Sequence, residues 1–136
     1  MCFCLTVTRS KESAPAPGVV RTWSQGADRL SLVSETQCGS ALRLRPVDEY
    51  CPCSLVKGRG SATTWEFETN WLPLIVCSVR DLHDEAKFGI TVIACRFGDD
   101  SAHLERVSLG HLVSLIESGQ LADRTKYVVR RKATAS

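Results

Sequence analysis

Two Cys-x-Cys pairs, Cys2 with Cys4 and Cys51 with Cys53, are the first residues of this chain whose type and spacing suggest chemistry. Four thiolates can in principle hold zinc tetrahedrally. The spacing opposes it. Residues i and i+2 on an extended strand lie ~6.6–6.8 Å apart, so the backbone must bend before both sulfurs reach one metal. Pro52 also holds Cys51 in extended geometry. The same separation is at the upper edge of disulfide geometry, so a Cys51–Cys53 bond would be strained. Seven cysteines, an odd number, with no export signal at the N-terminus do not suggest a disulfide framework. These thiols are expected to serve as small structural groups, buried or semi-exposed, in a reducing, cytoplasmic setting.

A second set is acidic. "RDLHDEAK" (80–87) and "GDDSAH" (98–103) bring Asp81, His83, Glu85, Asp99 and Asp100. On a strand, Asp81, His83 and Glu85 share one side, where they would suit a divalent cation or acid–base work in a metal-dependent hydrolase. Strand ends are also the ordinary place for such residues. If residues 73–97 form a hairpin, Asp99 and Asp100 fall beyond its opposite end. His111 and Ser114 stand three apart on a predicted helix, with no acid to orient the imidazole and no Gly-x-Ser-x-Gly elbow. No phosphate-binding glycine loop is present either. The sequence therefore implies no catalytic set, no resident metal and no cofactor.

The third set is basic. Arg43 and Arg45 share a strand face, Lys57 and Arg59 lie in "KGRG", and Arg124, Lys126, Arg130, Arg131 and Lys132 crowd the C-terminal end. As spatial neighbours they would grip phosphates, with Trp23, Tyr50 or Tyr127 to stack on bases. A net charge of +2 is too small to imply a polyanionic partner by itself. Trp23 and Trp71, near predicted strand ends, together with the arginines, are the residue types that anchor protein interfaces.

The elements that must position these groups follow from periodicity. "CFCLTVTR" alternates, with Phe3, Leu5 and Val7 on one face, and reads as a half-buried strand. "SKESAPAPG" (10–18) is a surface loop or linker. "VVRTW", "RLSLVSET" and "ALRLRPV" are strands, the last two an antiparallel hairpin across 29–47. "PCSLV" is a weaker strand, demoted by its proline. "ATTWEFET" alternates, with Trp65 and Phe67 on one face. In "PLIVCSVRDLHDEA" the apolar residues recur at helical spacing, yet Ile75, Val76 and Val79 are β-branched, and residues 73–80 are expected as a strand. "FGITVIACRF" is a central apolar strand. "SLGHLVSLIESG" is a helix capped by Ser108 and ended by Gly119. "TKYVVRR" is the last strand, and 133–136 a frayed tail.

The expectation is one α+β domain over residues 1–136. Its predominantly antiparallel sheet has about eight short strands, flat or curled towards a partial barrel, with one main helix near the C-terminus. The expected function is that of a small cytosolic, non-catalytic binding module, an inhibitor or adaptor, with a protein partner or a second copy of itself. Nucleic-acid binding is the first alternative and metal-dependent hydrolysis the second. The residues singled out for binding are Trp23, Arg43, Arg45, Lys57, Arg59, Trp71, Arg130 and Arg131. No segment reaches the ~18–20 apolar residues of a membrane span.

Overall fold

The computed structural model describes residues 3–35, 39–49, 52–61, 63–96, 99 and 103–131, with the backbone alone at 58–61. The alternation at the N-terminus does make a strand, β1 (Phe3–Arg9). It is followed by β2 (Gly18–Gln25), β3 (Asp28–Ser34) and β4 (Leu42–Pro46), then β5 (Val56–Ser61) and β6 (Thr64–Phe67). Helix α1 (Leu72–Glu85) leads to β7 (Gly89–Arg96) and β8 (His103–Arg106). Helix α2 (Leu109–Glu117), β9 (Leu121–Ala122) and β10 (Thr125–Arg130) complete the chain.

Seven strands form one sheet in the order β2-β3-β4-β1-β7-β10-β8, and β5-β6-β9 form a second, smaller one. Every pairing is antiparallel except that of β10 with β8, which the crossover through α2 makes parallel. The expected hairpin across 29–47 is present, with Leu32 opposite Leu44. The larger sheet has edges at β2 and β8 and does not close into a barrel. Strand β1 occupies its middle, between β4 and β7, so the N-terminal segment is central to the sheet.

Three expectations are corrected. Residues 73–80 are helical, because Leu74, Ile75, Ser78, Val79 and Leu82 recur with the helical period and are all buried. Burying that stripe outweighs the few tenths of a kcal/mol by which β-branched residues disfavour a helix. Pro73 lies in the first turn, where no intrahelical bond is lost. "PCSLV" begins as a 3-10 turn (Pro52–Leu55) and not a strand. The described residues thus hold two helices and ten strands, against the one and about eight expected.

A single apolar cluster joins these parts. Phe3, Leu5 and Val7 of β1 and Ile90, Val92 and Ala94 of β7 meet Ile75, Val79 and Leu82 of α1 and Leu112 and Ile116 of α2. The small sheet enters through Trp65 and Phe67, whose rings stand 4.6 and 6.0 Å from that of Phe3. Both helices and the small sheet therefore lie on one side of the larger sheet. No described helix is long and apolar enough to cross a membrane.

Candidate binding face

Alternation along β1 defines the other side. With Phe3, Leu5 and Val7 inward, Cys4, Thr6 and Thr8 point outward. The registers carry this parity across the sheet: Thr6 faces Arg43 and Ile93, Thr8 faces Thr91, Thr91 faces Val128, and Val128 faces Arg106. Lys126 lies opposite Leu104, and since Tyr127 pairs with Val92, it also stands opposite Ile93. Arg29, Arg43, Arg45, Lys126, Arg130 and Arg106 all occupy outward positions. No carboxylate occupies an outward position of these seven strands among the described residues.

The two halves of this face differ. Around β3, β4 and β1, the outward residues Ser31, Val33, Arg43 and Cys4 are buried. Arg43, only 4% exposed, is ion-paired with Glu35 at 3.1 Å. Arg45 donates to the Glu49 carbonyl at 3.5 Å. Around β7, β10 and β8 the face is accessible. Ile93 and Val128 are half-buried, Lys126, Arg130 and Arg106 are exposed, and Leu104 is 54% exposed.

The residues expected to bind are only partly brought together. β4 and β10 are separated by β1 and β7, roughly 14 Å at ordinary strand spacing, so Arg43 and Arg45 do not adjoin Arg130. Lys57 belongs to the other sheet and pairs with Glu66 at 3.3 Å. The Arg59 side chain, Cys2, Tyr50, Cys51, Asp100 and Lys132 lie outside what the structure describes. Trp23 and Trp71 are 7% and 8% exposed, and thus belong to the core. The Trp23 indole Nε1 donates to Asp81 Oδ2 at 2.9 Å. Trp71 abuts a shallow cleft of about 180 Å³ with Asp28, Arg29, Asp48 and Glu49 around it. Tyr127 is buried too, its hydroxyl accepting from the Ala122 amide at 2.9 Å, so its ring is not exposed for stacking.

Arg130 and Arg131 do converge. They border a cleft of about 370 Å³ with Ser10, Lys11, Phe88 and Val128. Neither Lys11 nor Phe88 was legible as a site residue: Lys11 sits in the proline-rich 10–18 loop, and Phe88 reads as the first residue of the apolar run "FGITVIACRF". Leu104 and Arg106 were not legible either, because β8 is a four-residue edge strand without clean alternation.

The acidic set has another use. On helix α1, Asp81 and Glu85 stand one turn apart and both engage Arg21, while His83 points to a different side. Asp99 follows the far end of β7 from α1. Among the described residues no three His, Cys, Asp or Glu side chains are grouped to hold a metal. Cys4 and Cys95 stand directly opposite each other on β1 and β7. Burial chiefly, then Cys4, Asp123 and Asp99, push the Cys95 thiol from 9.0 up to about 11, against the pull of Arg124. No family model, curated protein or solved structure matches this chain.

Proposed function

We propose that this chain is a non-catalytic binding module that takes an acidic protein partner on the β7–β10–β8 half of its outer sheet face. One observation carries the reading: apolar side chains (Ile93, Val128, Leu104) are interleaved there with polar and cationic ones (Thr91, Lys126, Arg106). Ile93, Lys126 and Leu104 form one line across the three strands, and Thr91, Val128 and Arg106 form the next. Apolar contact area interleaved with charge is how protein interfaces are commonly built. The Lys126 stem adds apolar area of its own. Cations unopposed by outward carboxylates favour an acidic surface and speed its approach. Two copies of this face would repel, so self-association fits better at the β2 edge, where Val19 and Val20 are exposed. Aliphatic side chains offer bases no stacking platform, which favours protein over nucleic acid.

The test is comparative capture from cell extract on immobilised wild-type chain and a Leu104→Glu/Lys126→Glu variant. Both positions are exposed, so the variant should keep the wild-type circular dichroism spectrum. A protein held by the wild type and lost from the variant, at a rate of association that falls with salt, is the expected result. Equal retention by both would sink the proposal. Retention abolished by nuclease would transfer it to nucleic acid, with the steep salt dependence of phosphate contacts.

A further inference from the structure

Where β1 leaves the sheet, the chain turns sharply. The Ser10 amide donates to the Gly89 carbonyl at 3.0 Å, and the Glu12 amide donates to the Arg9 carbonyl at 3.3 Å. Between them Lys11 has φ of 61°, a left-handed conformation that side-chain-bearing residues rarely adopt. Such strain persists where the surroundings enforce it, and it concentrates at functional sites. Its effect here is to set the Lys11 ammonium 5.1 Å from the centre of the Phe88 ring.

Arg131 is held from the opposite side. Its guanidinium donates to the Asp84 and Ala86 carbonyls at the C-terminal end of α1, the latter at 3.1 Å. Its amide donates to the Phe88 carbonyl at 3.4 Å. Arg130 and Val128 project from the outward side of β10 into the same cleft of about 370 Å³. Glu12, in the same turn as Lys11, accepts from the Lys87 amide at 3.4 Å, and no carboxylate is part of the lining.

We infer that this cleft is a binding site for a small phosphate ester. Three cations and one hydroxyl are more than a carboxylate needs, and a phosphate monoester carries about −1.5 to −2 charges with three strong acceptors. Phe88 is 48% exposed, an unusual position for a ring, and with Val128 it forms an apolar wall for the ester's organic part. The volume is near the lower end for ligand sites, about 300–1,000 Å³, and so fits a single aryl or sugar phosphate. Free esters and phosphorylated side chains share this chemistry. The site stands whether or not a protein docks on the neighbouring sheet face.

Amide chemical-shift titration at low ionic strength tests it, with phenyl phosphate, inorganic phosphate and phenol as probes. Phenyl phosphate should give saturable shifts centred on Ser10, Lys11, Phe88 and Arg131, with inorganic phosphate about tenfold weaker and phenol inert. Lys11→Gly suits the backbone, since glycine accepts positive φ at no cost, yet removes the ammonium. Combined with Arg130→Gln it should weaken phenyl phosphate by at least about tenfold. Arg131 is left intact because it also caps α1. A phosphotyrosine peptide forms the last arm. Tighter binding with added shifts at Thr91 and Ile93 assigns the site to phosphorylated side chains, and binding no tighter than phenyl phosphate assigns it to free esters. Absence of saturation with phenyl phosphate, equal shifts with phenol, or an unweakened Lys11→Gly/Arg130→Gln variant would each overturn the assignment.

Discussion

At the scale of single residues, Asp81 ties α1 to β2. It accepts from the buried Trp23 indole at 2.9 Å and from Arg21 at 3.2 Å, and Cys77 approaches it at 3.8 Å. The Arg21 pair is about one-third exposed and contributes about 0–1 kcal/mol. The indole matters more, since a buried N–H without a partner costs about 1–3 kcal/mol. Asp81→Ala should therefore lower the urea unfolding free energy by about 1–3 kcal/mol, while Asp81→Asn, which keeps an acceptor, loses less. Burial first and Asp81 second raise the Cys77 thiol, so Asp81→Asn should also quicken its alkylation. Cys95 supplies a pH signature. Its thiol titrates near 11 when folded against 9.0 ordinarily. Between those values the unfolded chain has released a proton that the folded chain keeps, so stability falls as pH rises through that window. Cys95→Ala should flatten this slope in urea midpoints compared across the same pH range. Little of this was legible in the sequence. Asp81 and Trp23 are 58 positions apart, and only the packing of α1 on β2 brings them together. That packing turned an expected interface anchor into a core residue, and made Asp81, a candidate only under the second alternative of metal-dependent hydrolysis, a hydrogen-bond acceptor.

At the scale of elements, alternation identified β1, β3, β4, β6 and β10 well, because apolar residues at every second position fill the inner face of each, even where the outward Ser31, Val33 and Arg43 are buried as well. Helix α2 was equally legible: Ser108 accepts from the His111 amide at 3.1 Å, and Gly119 turns the chain at φ of 71°. Helix α1 was not, since a short apolar run with β-branched residues satisfies both periods until a partner surface selects one. Two glycines separate conformational need from packing room. Gly89 opens β7 at φ of 106°, and an added Cβ would stand 2.1 Å from the Val129 carbonyl oxygen. Gly89→Ala should cost about 3 kcal/mol or more, since backbone cannot yield as a side-chain tip does. Gly110, early in α2, has nothing within 4 Å of an added Cβ. Gly110→Ala should stabilise by about 0.5–1 kcal/mol. Thermal unfolding of the two variants beside wild type checks both signs, and a neutral Gly89→Ala would mean that β7 and β10 are not pressed together as described.

At the scale of the whole molecule, strand order was beyond local patterns: β1 pairs with β4 and β7, and β10 with β7 and β8, all through contacts distant in sequence. The same topology segregates charge. The outward face of the large sheet collects cations, while α1 carries Asp81, Asp84 and Glu85 on the opposite side, so a net +2 conceals a polar molecule. It also makes one core of two sheets. Trp23 lies at the β2–α1 contact, Trp71 at the start of α1 and Trp65 in the small sheet, and all three belong to the same apolar cluster. With a third strand of only two residues, the small sheet is little more than a hairpin, which is marginal alone. It holds its place by inserting Trp65 and Phe67 against Phe3, the first described residue of the central strand. Loss of the large sheet should therefore unfold the small one in the same step. In a Trp23→Phe/Trp71→Phe variant, where fluorescence reports Trp65 alone, the urea transition should coincide with that of far-ultraviolet circular dichroism, as two-state unfolding requires. A fluorescence midpoint clearly below the dichroism midpoint would show that β5, β6 and β9 detach first, and that Phe3 does not couple the two sheets.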